Sequence, residues 1–218
     1  MRILGIIPAR SGSKGIRHKN IFPLAGKPLI KYTIDEALKS NLCDLVLTTD
    51  SDEIGQYYHK VIVRPPHLAQ DDTLMLPVIQ HVLENYGSPI DAVMLLQPTS
   101  PLRITEDINN AIQKFIDYDT HYSNCDSLIS VCKGIHPIKC YDEAGTPFMP
   151  QEAYDKHIHK CYVRNGAIFI AKTELIKGGR LIGDRPLLFE MPKSRSIDVD
   201  DMQDLMIVEA LLKVGELH

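Results

Sequence analysis

The chain has 218 residues and carries 24 Lys+Arg against 28 Asp+Glu, a formal net charge of −4 with His neutral. That length suits one domain with a full core, and 44% hydrophobic with 24% charged residues excludes a disordered or fibrous chain. Apolar runs such as Ala92–Leu96 and Ala167–Ala171 fall far short of the ~20 residues of a membrane span, and mild acidity argues against general nucleic-acid binding. Met1–Pro8 is too short and too soon polar for a signal peptide, so a cytoplasmic protein is expected. Five cysteines (Cys43, Cys125, Cys132, Cys140, Cys161) with no C-x-x-C spacing read as reduced thiols rather than a disulfide framework or a zinc site.

Apolar runs alternate with helix-period stretches throughout, the pattern of a βαβ protein with a largely parallel sheet in one domain, 1–218. Ile3–Pro8 reads as a first buried strand, and Pro28–Ser40 as a helix with Leu29, Tyr32, Ile34, Ala37 and Leu38 on its apolar stripe. Leu45–Thr49 is a second strand, and Ser51 is placed to cap a short helix through Tyr58. Val61–Val63 is a brief third strand. The next helix runs to Tyr86 and stops at Gly87; Pro77 is best tolerated in its first turn, so it starts a few residues after Thr73. Asp91–Leu96 is the clearest central strand, followed by a helix from Thr105 to about Tyr118 and a strand at Ser127–Cys132. Residues 134–162 break the rhythm and read as a hairpin with an irregular excursion. Ala167–Ala171 and Leu187–Met191 are strands, and Asp201–Val214 closes as a helix.

Charge is unevenly spread. Arg2, Arg10, Lys14, Arg17, Lys19, Lys27 and Lys31 precede the first anion, Asp35, whereas Asp198, Asp200, Asp201 and Asp204 cluster near the far end. An anionic ligand at one and a metal at the other is one reading; two solvated patches is the other. The first strand leads into Pro8-Ala9-Arg10-Ser11-Gly12-Ser13-Lys14-Gly15, where ligands of open α/β sheets bind. Gly12 and Gly15 allow turns that present N–H groups to an anion, with Arg10 and Lys14 supplying charge. The loop fits neither G-x-x-x-x-G-K-[ST] nor G-x-G-x-x-G. Asp198 and Asp200, two apart, share one face if they lie on a strand, a simple oxygen site for Mg²⁺; Asp200 and Asp201 also precede a helix, where acids cap.

Ile7–Gly15 with Lys19-Asn20, Leu96-Gln97-Pro98-Thr99-Ser100-Pro101-Leu102-Arg103, Asn165-Gly166-Ala167-Ile168 and Ser196-Ile197-Asp198-Val199-Asp200 resemble, in order, four motifs of the acylneuraminate cytidylyltransferases. The resemblance covers nearly the whole chain. It implies a doubly wound, Rossmann-like nucleotidyltransferase that joins CTP and a nine-carbon 2-keto sugar acid into a CMP-sugar, with Mg²⁺, as a cytoplasmic homodimer. It places Arg10, Ser11, Gly12, Ser13, Lys14, Gly15, Lys19, Asn20, Arg64, Asp72 and Thr73 at CTP, with Arg10, Lys14 and Asp198 serving catalysis. Gln97, Thr99, Ser100, Asn165 and Gly166 fall at the sugar, and Asp198 and Asp200 at the metal. His136-Pro137-Ile138-Lys139 is similar to a dimer segment whose lysine reaches the partner's sugar site, so residues 134–162 are expected to serve dimerisation.

Three departures bear on the sugar. The stretch Pro150-Gln151-Glu152 to Lys160 lacks an arginine that the family commonly has ahead of Asn-Gly; Ile54–Val63 is short; and Leu181 and Ile182 replace an aromatic stretch. Legionaminate or pseudaminate therefore fits nearly as well as N-acetylneuraminate. A nucleotidyltransferase for another sugar or base, and a non-catalytic nucleotide-binding module, stand as alternatives.

Overall fold

A computed structural model of the chain describes residues 1–122, 125–134 and 161–215. Buried on both faces, β1 (Ile3–Pro8) lies between β4 (Asp44–Thr49) and β6 (Ala92–Leu95), parallel to both. Beyond β4 lies β5 (Val61–Val63); beyond β6 come β8 (Tyr162–Lys172), β7 (Ser127–Lys133) and β9 (Leu187–Glu190). Among the described residues these seven strands form one sheet, and β8 alone runs against the rest. The chain builds outward from β1 on one side and then returns to β6 on the other. A crevice therefore opens beyond the C-terminal ends of β1 and β6.

Strand alternation divides the core. Ile3 and Ile7 of β1 join Leu45, Leu47, Met94 and Phe115 on one face, under α1 (Leu29–Leu38) and α4 (Thr105–Tyr122). Leu4 and Ile6 join Val46, Val93, Ile79 and Ile176 on the other, under α3 (Met75–Tyr86) and α5 (Thr173–Lys177). Both faces are covered by helices, the doubly wound arrangement. A third cluster, Ile16, Leu24, Leu29, Leu102, Val199, Leu205 and Val208, seats α6 (Met202–Val214) against the loops after β1 and β6.

Among the described residues the expected elements are present in order, with several corrections. Ser51 caps α2 (Asp52–Gly55) by accepting from Ile54 N–H, 3.3 Å, but the helix ends before Tyr58. α4 continues to Tyr122, and β8 begins at Tyr162 because its first half pairs with β7. A two-residue ribbon, β2 (Pro23–Leu24) with β3 (Lys27–Pro28), and α5 were not foreseen. Asp198 and Asp200 do not lie on a strand: Val199 N–H donates to Thr99 O, 2.8 Å, so the segment packs on a loop instead of a strand partner. Asp201 is the helix cap, accepting from the Gln203 and Asp204 N–H groups while Asp204 accepts in return.

Gly134 N–H donates to Cys161 O, 2.8 Å, so the chain leaves and re-enters the sheet at paired positions. The expected excursion over 134–162, with His136, Pro137 and Lys139, otherwise lies outside the described residues. No helix among them is long and apolar enough to cross a membrane.

Losing this capping box is expected to cost about 1 kcal/mol, so Asp201→Ala should lower the melting temperature by about 2–4 °C in a thermal scan. An unchanged melting temperature would remove the cap from the account of why α6 starts here.

Candidate active site

A cleft of about 380 Å³ occupies the crevice, and Arg10, Lys14, Lys19 and Arg64 line it together with Gly12, Ser13, Gly15 and Asn20. The loop after β1 is tied down at several points. Ser11 donates its N–H (2.8 Å) and hydroxyl (2.6 Å) to Asp50, and Asn20 Nδ2 donates to Arg10 O, 2.9 Å. Lys19 Nζ donates to Val199 O, 2.8 Å, and to Asp200 Oδ1, 3.3 Å, joining the two charged ends of the sequence. A side chain at Gly15 would run into the Asp200 carbonyl, so only glycine allows this approach. Ser11 itself is an anchor behind the lining.

Arg64 is buried and donates to Thr48 O, 3.1 Å, while its Nε has no partner among the described residues. Burial lowers its pKa to about 10 against the support of Asp50, with Arg10 adding to the fall; it remains a cation at neutral pH, poorly compensated and facing the cleft. Asp50 is held below the usual carboxylate range: burial would raise it, but the Ser11 bonds and the Arg64 charge prevail. Asp50 was missed by the sequence reading, although an acid just past a strand end, opposite a serine-bearing loop, was its signal. Asp71 was missed too. It lines the cleft and pairs with both Arg10 and Lys14, whereas Asp72 and Thr73 lie outside the lining and the Thr73 hydroxyl donates to His67 O, 3.3 Å.

The far wall is Gln97, Pro98 and Thr99, backed by β8. Ser130 of β7 alone faces Asn165–Ile168 of β8, so β8 bulges there, with Gly166 at φ 74°. Side chains satisfy the freed backbone groups: Ala167 N–H donates to Asn165 Oδ1 (3.3 Å), Ile168 N–H to Ser130 Oγ (2.7 Å), and Arg103 Nη1 donates to Ala167 O (2.7 Å). Asn165 also accepts from Ser130 Oγ, 2.6 Å, and donates to Ser196 Oγ, 2.8 Å, so its amide is spent inside the protein, under the wall. Ser100 is buried as well, outside the lining. Gly166 is closer: a Cβ there would stand 3.2 Å from Asp198 Oδ2 and 3.6 Å from Gln97 Oε1.

Asp200 lines the cleft; Asp198 sits behind Gly166 and Thr99. Burial pushes the Asp198 carboxyl up, the Thr99 hydroxyl opposes the rise, and the Asp200 charge adds to it. Its Oδ1 is buried with no hydrogen-bond partner among the described residues. The arrangement lines the cleft with four cations, with the neutral groups of Gln97 and Thr99, and with the carboxylates of Asp71 and Asp200, Asp198 lying just behind.

A family model described as Cytidylyltransferase matches residues 4–183. The chain is 34% identical to an N-acylneuraminate cytidylyltransferase of Escherichia coli, over 93% of this chain and 50% of that one. It thus spans about half the length of that relative. It is also 34% identical to a CMP-N,N'-diacetyllegionaminic acid synthase of Legionella pneumophila, over 99% of this chain and 98% of that one. Among solved structures, a CMP:2-keto-3-deoxy-manno-octonic acid synthetase complexed with CTP shares the fold, with a TM-score of 0.74 at 16% identity over 99% of this chain and all of the other.

The bulge gives a test. Gly166→Ala should destabilise by about 1–2 kcal/mol from the left-handed backbone alone, read in denaturant melts. Arg103→Met should cost at least as much, since Ala167 O and the Thr33 hydroxyl each lose a buried partner worth about 1–3 kcal/mol. Wild-type stability in both variants would refute this account of the wall.

Proposed function

The chain belongs to the cytidylyltransferase family, and we propose that it activates a nine-carbon 2-keto sugar acid of the sialic, legionaminic or pseudaminic type with CTP, giving the CMP-sugar and diphosphate. The observation that carries this is the convergence of Arg10, Lys14, Lys19 and Arg64 on a cleft whose opposite wall is neutral and hydrogen-bonding. In the reaction the anomeric hydroxyl oxygen bonds to the α-phosphorus, the hydroxyl gives up its proton, and the bond from that phosphorus to the diphosphate breaks. Such a displacement depends on positioning and charge neutralisation rather than on covalent help. Arg10 and Lys14 face the triphosphate, the turn at Gly12–Gly15 offers N–H groups, and buried Arg64 adds a charge whose interactions are little screened. Gln97 and Thr99 meet the sugar acid, with Asn165 and Ser100 shaping the wall from behind.

Mg²⁺ belongs to the proposal, held by Asp198 and Asp200. The residues fit such an ion: Asp198 Oδ1 is buried without a donor, a second carboxylate lies two residues on, and a hard cation favours this donor set. An ion held by these carboxylates would supply positive charge to offset that of the phosphate oxygens. A cytoplasmic homodimer using residues 134–162, with Lys139 reaching the partner's sugar, completes the reading; light scattering checks the dimer.

Diphosphate release is the direct assay. With Mg²⁺ and a panel of nonulosonic acids, CTP should support turnover and GTP, ATP and UTP should not; equal rates with GTP would sink the cytidine assignment. Asp198→Asn should lower turnover by about 10²-fold or more and shift the Mg²⁺ titration to higher concentration. Its melting temperature should hold or rise, because the amide removes a buried charge whose Oδ1 has no hydrogen-bond partner among the described residues. A titration like that of the wild type would defeat the metal assignment.

A further inference from the structure

Two of the cations that face the cleft are already occupied by an anion of the chain itself. Asp71 pairs through Oδ1 with Arg10 Nη1 and through Oδ2 with Lys14 Nζ, the latter at 3.2 Å. Among the described residues that line the cleft, the acids are Asp71 and Asp200, and Asp200 faces Lys19. Among the described residues, the Asp71 side chain makes no hydrogen bond or ion pair other than those to Arg10 and Lys14. Its turn is held by other bonds, from Thr73 N–H to Gln70 O, from the Thr73 hydroxyl to His67 O and from Gln70 Nε2 to Pro66 O. The Asp71 side chain is 43% exposed and Lys14 is 79% exposed, so the pairs are screened and contribute little to stability. The Arg10 and Lys14 bonds hold the Asp71 carboxyl below the usual carboxylate range, and it is an anion at neutral pH.

We infer that Asp71 is a resident counter-anion that holds Arg10 and Lys14 before nucleotide binds, is displaced by the phosphates of the incoming nucleotide, and recaptures both cations as diphosphate leaves. This rests on the proposed nucleotide site. One carboxylate presents two oxygens to the two cations, the same bidentate geometry that a phosphate group offers. Displacement needs only rotation of an exposed side chain on a turn whose backbone bonds stay intact. With phosphates seated, the Asp71 charge opposes them at short range, which weakens nucleotide binding and favours release of diphosphate. Asp71 therefore trades affinity for turnover at the cations that the reaction uses.

The test is binding of inorganic diphosphate and of CTP to the wild type, Asp71→Asn and Asp71→Ala, by calorimetry in EDTA and again in Mg²⁺, with melting curves to show that the variants fold. Removing the competing charge should tighten both ligands about tenfold, equivalent to about 1.4 kcal/mol, in both conditions. In the diphosphate-release assay the variants should show correspondingly stronger inhibition by added diphosphate. Unchanged or weaker binding by both variants overturns the inference. Weakening confined to Mg²⁺ also overturns it, by making Asp71 a metal ligand. A wild type that binds diphosphate but not CTP defeats the cytidylyl reading instead, while the diphosphate arm still decides the role of Asp71.

Discussion

A single guanidinium, that of Arg103, decides whether the far wall of the cleft exists. It is fully buried, yet it donates to Ala167 O on β8 (2.7 Å), to the Thr33 hydroxyl on α1 (2.8 Å) and, at 3.4 Å, to Gln97 O beyond β6. Burial lowers its pKa to about 10, partly offset by Asp107 and Glu36, so the charge survives at neutral pH. A bulge as large as that in β8 strands backbone groups that a regular ladder would satisfy. Arg103 takes the carbonyl, and Ser130 and Asn165 take the N–H groups. That support holds Gly166 in its left-handed conformation between Gln97 and Asp198. Because β8 runs antiparallel, this bulge arrives beside the C-terminal end of β6 rather than at the opposite edge of the sheet.

The other wall depends on bringing the two charged ends of the sequence together. Lys19 bonds to Val199 O and Asp200, 180 and 181 residues further on, and Gly15 lets the loop close against the Asp200 backbone. Val199 is buried between these contacts in the cluster that seats α6. Nearby, Arg195 forms paired bonds of 2.7 and 2.8 Å with Asp107, anchoring to α4 the segment that leads to Asp198. The acidic segment is thus placed by a partly buried ion pair, an apolar plug and a helix cap.

Much of this was legible in the residues. The succession of strands and helices along the chain, Ser51 as a cap, the stop at Gly87 and the β1 loop at the mouth of the crevice follow from local patterns that the packing respects. The misses share a cause. The long first half of β8, the bulge at Gly166 and the irregular path through Asp198 are set by partners far along the chain, which a period of two cannot reveal. The two-residue spacing of Asp198 and Asp200 suggested a strand, but the backbone there bonds to the loop at Thr99. Asn165 stands in a motif associated with the sugar, yet its amide is consumed by Ser130, Ser196 and the Ala167 N–H group. Asp71 was passed over for Asp72 and Thr73 because adjacent residues on a turn point in different directions, which composition does not record.

The two walls differ in what a ligand can rearrange. On the cationic wall the ion pairs are exposed, involve flexible side chains and are cheap to exchange, since water and an incoming anion both replace what is broken. On the bulge wall the bonds of Arg103 to Ala167 O and Thr33, of Ser130 to Asn165, and of the Ala167 and Ile168 N–H groups are buried, and breaking one strands its partner away from water at about 1–3 kcal/mol. A phosphate ligand will therefore re-pair Arg10 and Lys14 before it disturbs Arg103, Asn165 or Ser130. On the proposed function, selectivity for the sugar acid would fall to Gln97 and Thr99, which the buried bonds around Gly166 hold in place, while the phosphates would meet side chains free to re-pair.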